Sequence, residues 1–217
     1  MVKRGAFIVI EGLDRSGKST QTSLLRANLE AAGIPTELIK FPDRTTAIGQ
    51  MIDSYLKSQS DLDDHVIHLL FSANRWELAS TIEKLLTSGT TVICDRYAFS
   101  GIAFSASKGL PYEWCRAPDV SLPAPDLALF LQITPEAAKA RGGYGEERYE
   151  REEMQRSVGE IFHRIGAEIA SEGVRWVAVD AGHERDQVEE DIWMFVKPLA
   201  QGVEGPIRRL WPDKIRV

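Results

Sequence analysis

Gly12-Leu13-Asp14-Arg15-Ser16-Gly17-Lys18-Ser19-Thr20 follows directly on the apolar run Ala6-Phe7-Ile8-Val9-Ile10-Glu11 and directly precedes a helical pattern beginning at Lys18. Strand, glycine-rich loop and helix in that order make a phosphate cradle. The spacing Gly-x4-Gly-Lys-Ser turns backbone N–H groups inward around phosphate oxygens, brings Lys18 to the terminal phosphates and lets the Ser19 hydroxyl ligate Mg2+. The helix N-terminus adds its positive end. A bare match of this kind also occurs as a Gly/Ser-rich turn with an exposed lysine; the flanking strand and helix select the nucleotide reading.

Outward from this stretch, Phe7–Glu11 is the first of five apolar or β-branched runs, the others being Glu37–Phe41, Thr90–Asp95, Leu127–Ile133 and Arg175–Asp180. They read as strands buried on both faces. Helical patterns between them give β-α-β-α-β, which predicts an α/β, doubly wound parallel sheet with ligands at the C-terminal strand ends. The first helix carries Thr22, Leu25, Leu29 and Ala32, and Gly33 followed by Pro35 stops it. A long helix is expected from an N-cap at Ser60 or Asp61 to about Leu86, with Val66, Leu69, Leu70, Ala73 and Trp76 on one face and Gly89 beyond its end. That face is either intramolecular core or a seam between two copies of the chain.

Thr134-Pro135 opens a short helix to about Arg141. The glycine-rich, charged stretch that follows, within a lid placed at about 141–150, suits a flap over an active site or a plain surface loop. Met154, Val158, Ile161, Ile165 and Ile169 mark the next helix; Val188, Ile192 and Phe195 mark the last. Residues 201–217 read as an irregular tail anchored by Trp211.

The 217 residues, 43% hydrophobic and 27% charged, suffice for one compact domain over 1–217. A formal charge of −6 argues against general nucleic-acid binding, which needs clustered Lys and Arg. Anionic ligands must then be met by local arginines. Two cysteines, Cys94 in an apolar strand and Cys115 in a polar stretch, make no disulfide framework and fit a reducing compartment. The N-terminal apolar run is too short for a signal-peptide core, and no stretch approaches the ~18 apolar residues of a membrane span. A soluble protein that is not secreted is expected.

Several positions admit both a chemical and a packing reading at this level. Phe71 and Arg75, with Asn74, lie on the long helix, where spacing alone assigns them to core or solvent rather than to a ligand. His65 and His68 lie one turn apart with no third ligand at metal spacing, so they read as surface or packing histidines. Asp95, ending the third strand beside the phosphate loop, suits a carboxylate that holds Mg2+ directly or through water. Arg96 next to it suits a phosphate grip or an ion pair with Asp95.

Taken together, these residues resemble the thymidylate kinase family, eukaryotic type, among the P-loop nucleoside-monophosphate kinases. The carriers are Asp14-Arg15 within the loop, Phe41-Pro42-Asp43-Arg44, the run His68 to Trp76 containing Phe71 and Arg75, the run Asp95 to Gly101 with Phe104, and Glu147-Arg148-Tyr149-Glu150. The resemblance spans nearly the whole chain. It implies a P-loop NTPase fold, a five-stranded parallel sheet flanked by helices on both faces, with a small lid. It implies transfer of the γ-phosphoryl group of ATP to dTMP with Mg2+ held at Ser19 and Asp95. Catalysis would rest on Arg15, Lys18, Asp95 and Arg96, with Arg15 an arginine finger within the loop; Arg148 and Arg151 leave open which other arginine assists. For ATP it implies Gly12, Asp14, Arg15, Ser16, Gly17, Lys18, Ser19 and Thr20, with Arg141 against the adenine near Asp180 and Ala181. For dTMP it implies Asp14 on the 3′-hydroxyl, Phe41 and Pro42 in a cis bond, Phe71 stacked on thymine and Arg75 on its carbonyl edge. Arg44 and Arg96 grip the phosphate, Asn74, Ser100, Gly101, Phe104 and Gln155 complete the pocket, and Tyr149 crowds the 2′ position. A homodimer and a cytoplasmic, or also nuclear, setting are further implications. The rival readings are a kinase for another pyrimidine monophosphate and a non-catalytic ATP-binding module; no Asn-Lys-x-Asp guanine motif is present for a GTPase.

Overall fold

The computed structural model describes residues 3–141, 148–149 and 151–212. Its elements in chain order are β1 (Phe7–Gly12), α1 (Lys18–Ala31), β2 (Thr36–Lys40), α2 (Ala47–Leu56), α3 (Asp64–Thr87), β3 (Thr91–Asp95) and α4 (Ala98–Ala106). There follow α5 (Tyr112–Arg116), β4 (Leu127–Gln132), α6 (Pro135–Ala140), α7 (Glu152–Ser171), β5 (Arg175–Asp180) and α8 (Arg185–Val196). The five strands form one parallel sheet in the order β2-β3-β1-β4-β5. Because the order reverses around β1, the loop after it opens at a switch point of the sheet, where connections diverge and leave a crevice. The register pairs Ile10 with Asp95, which brings the end of β3 beside the phosphate loop.

All residues of β1 and β3 are buried, as are those of β4 up to Leu131, so continuous hydrophobicity matches these central strands. The edge strands depart from that expectation: β2 and β5 each bury a single residue, Ile39 and Val179 respectively. The long helix starts at Asp64 rather than after Ser60 or Asp61, because the Asp63 carboxylate accepts from His65 N at 2.8 Å and takes the cap. Its expected apolar face is not the core-facing one. Val66, Leu69 and Trp76 are exposed, while Ile67, His68, Ser72, Asn74, Arg75, Ala79, Ile82 and Leu86 are buried. The packed face therefore includes polar residues that the hydrophobic pattern could not rank as inward.

Helices α2 and α4, the latter carrying Ser100, Gly101 and Phe104, have no counterpart in the hydrophobic periodicity. The tail is stitched to the base of the sheet: Val203 bridges Arg4, Arg209 bridges Pro123, and Trp211 is buried edge-on to Phe99 at 6.1 Å. Residues 142–147 and 150 of the expected lid, with Glu147 and Glu150, and residues 213–217 of the tail lie outside the described residues.

Candidate active site

Close packing shapes the phosphate loop. A Cβ at Gly12 would stand 2.6 Å from Ser16 Oγ and 2.8 Å from Leu131 O, so only glycine passes there. Arg15 holds a left-handed backbone at φ 62° and Gly17 at φ 92°, which curl the chain into helix α1. Lys18 folds beneath the loop and donates to Leu13 O at 2.5 Å. Burial, reinforced by the neighbouring positive charge of Arg96, lowers its pKa to about 7 despite Asp14, Asp95 and Glu11 nearby. Ser19 donates to Asp95 Oδ2 at 2.6 Å, and Lys40 Nζ lies 3.7 Å from the same oxygen. Asp95 Oδ1 is buried without a hydrogen-bond partner. A hard-oxygen pair with an unused carboxylate oxygen, set at the phosphate loop, fits Mg2+.

Two cavities meet at this loop. The first, about 320 Å³, is lined by Asp14, Arg15, Lys18 and Ser19 of the loop region, by Phe41, Pro42, Arg44, Asp95 and Arg96 at strand ends, and by Phe71, Arg75, Ser100, Gly101, Phe104 and Tyr149. The second, about 430 Å³, is lined by Ser16, Gly17 and Thr20 on the loop's other side and by Arg141, Ala181 and neighbours. Arg141 donates to Arg15 O at 3.1 Å and to Ala181 O, closing that wall. Asp180 does not line it; its carboxylate accepts from Gly182 N at 2.8 Å and shapes the turn.

In the first cavity Arg96, at φ 68°, directs its guanidinium to Gly12 O, Ser100 Oγ and Asp14 Oδ1 and lies 5.2 Å over the Phe104 ring. Arg75 is buried in a two-pronged pair with Asp119, at 3.1 and 2.6 Å. A Cβ at Gly101 would come within 2.7 Å of Arg75 Nη2, so glycine there makes the space that the guanidinium occupies. The Phe41-Pro42 bond is cis. Arg44 pairs with Asp53 at 2.7 Å.

Two expected ligands face elsewhere. Asn74 accepts from Asp43 N at 2.7 Å and donates to Asp43 O, Thr46 and Glu77, so it pins the turn after β2 and does not line the cavity. Gln155 likewise acts through a neighbour: its amide accepts from Asp14 N and donates to Asp14 Oδ2 at 2.7 Å. Arg148, considered above for the phosphoryl group, is engaged with Tyr55 O, Ser60 O and Asp61 and lies 4.2 Å over the Tyr55 ring.

A family model for thymidylate kinases matches residues 10–192. The chain belongs to the thymidylate kinase family. It is 56% identical over 189 residues to the thymidylate kinase of Schizosaccharomyces pombe, covering 87% of this chain and 90% of that one. With the Arabidopsis thaliana thymidylate kinase it shares 51% identity over 96% of this chain and 78% of that one. The thymidylate kinase of Candida albicans, whose structure is described as revealing the origin of broad substrate specificity, superposes with a TM-score of 0.87 at 39% identity, covering 97% of this chain and all of that one.

The thymidylate kinase site also relies on residues that motif reading passed over. Glu11, fully buried, accepts from Tyr97 N, Ser100 N and Ser100 Oγ and so holds the start of α4; burial raises its pKa against the pull of Ser100 and Arg96. Its only sequence signal is a charge at the end of an apolar strand. Asp119 orients Arg75 and has no local signature at all. His68 shares a 2.8 Å contact with Ser105 Oγ, behind the cavity wall, and burial lowers its pKa to about 4. Among the described residues no group of three potential ligands makes a His/Cys/Asp/Glu metal cluster, and no helix is long and apolar enough to cross a membrane.

Proposed function

We propose that the chain acts as a thymidylate kinase in which ATP occupies the second cavity, dTMP the first, and the γ-phosphoryl group crosses at the loop between them. The supporting observation is that one phosphate loop forms a wall of both cavities, Ser16, Gly17 and Thr20 facing one and Lys18 and Ser19 the other. The attacking phosphate oxygen of dTMP is already a nucleophile, so alignment and charge stabilisation suffice. Lys18 and Arg15 meet charge developing on the transferred group, while Arg96 and Arg44 hold the acceptor phosphate. Asp14 takes the sugar 3′-hydroxyl, Phe71 stacks on the base and Arg75, fixed by Asp119, donates to its carbonyl edge. Ser19 and Asp95 would hold Mg2+, which supplies neutralisation of phosphate charge when bound.

The exposed apolar residues Val66, Leu69 and Trp76 on α3 support a homodimer seam. Cys94 and Cys115 form no disulfide, which supports a cytoplasmic or nuclear setting.

The test is ADP release with ATP and Mg2+ across dTMP, dUMP, dCMP, dGMP, UMP and thymidine, with products identified by mass. The dTMP-to-dTDP reaction is expected to dominate, with dUMP turned over more slowly, because one methyl group carries only ~1–3 kcal/mol of discrimination. Preference for another monophosphate would overturn the base-pocket assignments; no turnover at all would overturn the enzymatic reading.

A further inference from the structure

We propose that Lys108, which lines neither cavity, is a positioning residue that sets discrimination between deoxyribo- and ribonucleotides by fixing the Tyr149 ring. The inference rests on the reading above that Asp14 faces the sugar 3′-hydroxyl and Tyr149 the adjoining 2′ carbon. Lys108 sits in the turn after α4, and its side chain is only 14% exposed. Its ammonium donates to Asp64 Oδ1 at 2.5 Å and to Tyr149 Oη at 3.3 Å. It also lies 5.3 Å from the Tyr149 ring centroid and 5.8 Å from that of Tyr55. A carboxylate and two ring systems thus hold one largely desolvated cation, where attraction to aromatic rings is strongest.

The Tyr149 ring also stacks on Phe104, with centroids 5.4 Å apart and planes 27° from parallel, and both rings line the first cavity. Gln155 places this ring at the sugar end, because its amide donates both to Tyr149 O at 2.9 Å and to Asp14 Oδ2 at 2.7 Å. The backbone is pinned separately through Arg148 N to Leu56 O at 3.1 Å. Removing Lys108 therefore takes the ammonium partner from the Tyr149 hydroxyl, while Phe104 and Tyr55, the latter with its centroid 6.1 Å away, still pack against the ring and the segment stays attached. A wall excludes a 2′-hydroxyl sterically only if it does not yield. Apolar walls reject an added hydroxyl by ~100-fold at most, so the margin is sensitive to a ring that can tilt.

The experiment compares kcat/KM for dTMP and ribothymidine 5′-monophosphate, which differ only in the 2′-hydroxyl, in wild type and in Lys108→Met, Lys108→Arg and Tyr149→Ala, with melting curves for each. Lys108→Met is expected to lower the dTMP preference by about tenfold while kcat for dTMP stays within about twofold, and Lys108→Arg to restore it. Asp64→Asn, which removes the ion-pair partner from a partly exposed site, is expected to move the ratio the same way and serves if Lys108→Met does not fold. An equal loss on both substrates would make Lys108 merely structural and overturn the proposal. A ratio that collapses in Tyr149→Ala but holds in Lys108→Met and Asp64→Asn would overturn it while leaving Tyr149 at the sugar. An unchanged ratio in Tyr149→Ala would overturn the sugar assignment itself, and the proposal with it.

Discussion

Arginines 15 and 96 both adopt left-handed backbone, at φ 62° and 68°, a conformation that non-glycine residues rarely hold without a reason in the surroundings. Arg96 is held by Gly12 O and Asp14, and Arg15 lines the first cavity from within the loop. Arg15→Gly is expected to lower turnover by ~10³-fold or more while ATP affinity changes by no more than about tenfold, as measured by steady-state kinetics and nucleotide titration. Equal losses in both would remove Arg15 from the transferred group. Lys18 yields a second prediction. Its pKa of about 7 without ligand means it is largely neutral at pH 8, and phosphate oxygens favour its charged form. ATP binding at pH 8 is therefore expected to take up a proton, and at pH 6 to take up none at this site. Calorimetry in buffers of different ionisation enthalpy reads this directly; uptake at pH 8 that persists undiminished in Lys18→Arg would assign the proton elsewhere.

At the scale of the element, α3 shows how a helix with two demands defeats a simple amphipathic reading. Its buried face carries His68, Ser72, Asn74 and Arg75, each with a partner outside the helix, although His68 Nε2 is buried without one, and its apolar residues Val66, Leu69 and Trp76 are left outside. Burial of polar groups is tolerated where they are hydrogen-bonded, and no local pattern announces the partner. Asp119 is distant in the chain from Arg75, and Asp43 from Asn74. His68 makes the consequence measurable. Burial chiefly, then the charge of Arg75, holds its pKa near 4, against an ordinary 6.5. Between those values the unfolded chain binds the proton that the folded one refuses, so stability falls as pH drops from 6.5 towards 4. Wild type is expected to lose on the order of 1–2 kcal/mol more than His68→Gln between pH 7 and pH 5, by urea titration at each pH. Parallel pH profiles for the two proteins would rule out His68 as the source.

For the whole molecule, the exposed stripe of α3 bears on assembly. If the proposed homodimer uses this stripe, Leu69→Glu, at a position 47% exposed, is expected to leave the chain monomeric by light scattering while its melting curve stays cooperative. A dimer that survives would place the seam elsewhere. The sequence alone determined the sheet's central strands, because β1, β3 and most of β4 are buried on both faces and so read as unbroken apolar runs. It also determined the phosphate loop, since Gly12 and Lys18 meet backbone and phosphate demands within nine residues. What only the tertiary structure decided was which polar side chains touch the cavity and which hold those that do. Asn74 and Gln155 proved to act through Asp43 and Asp14, and Glu11, Asp119 and Lys108 entered from outside every motif. The reason is physical: periodicity reports the average environment of a face over several turns, whereas a hydrogen bond is fixed by the placement of one atom on a neighbouring element, which the chain specifies only once the core has packed.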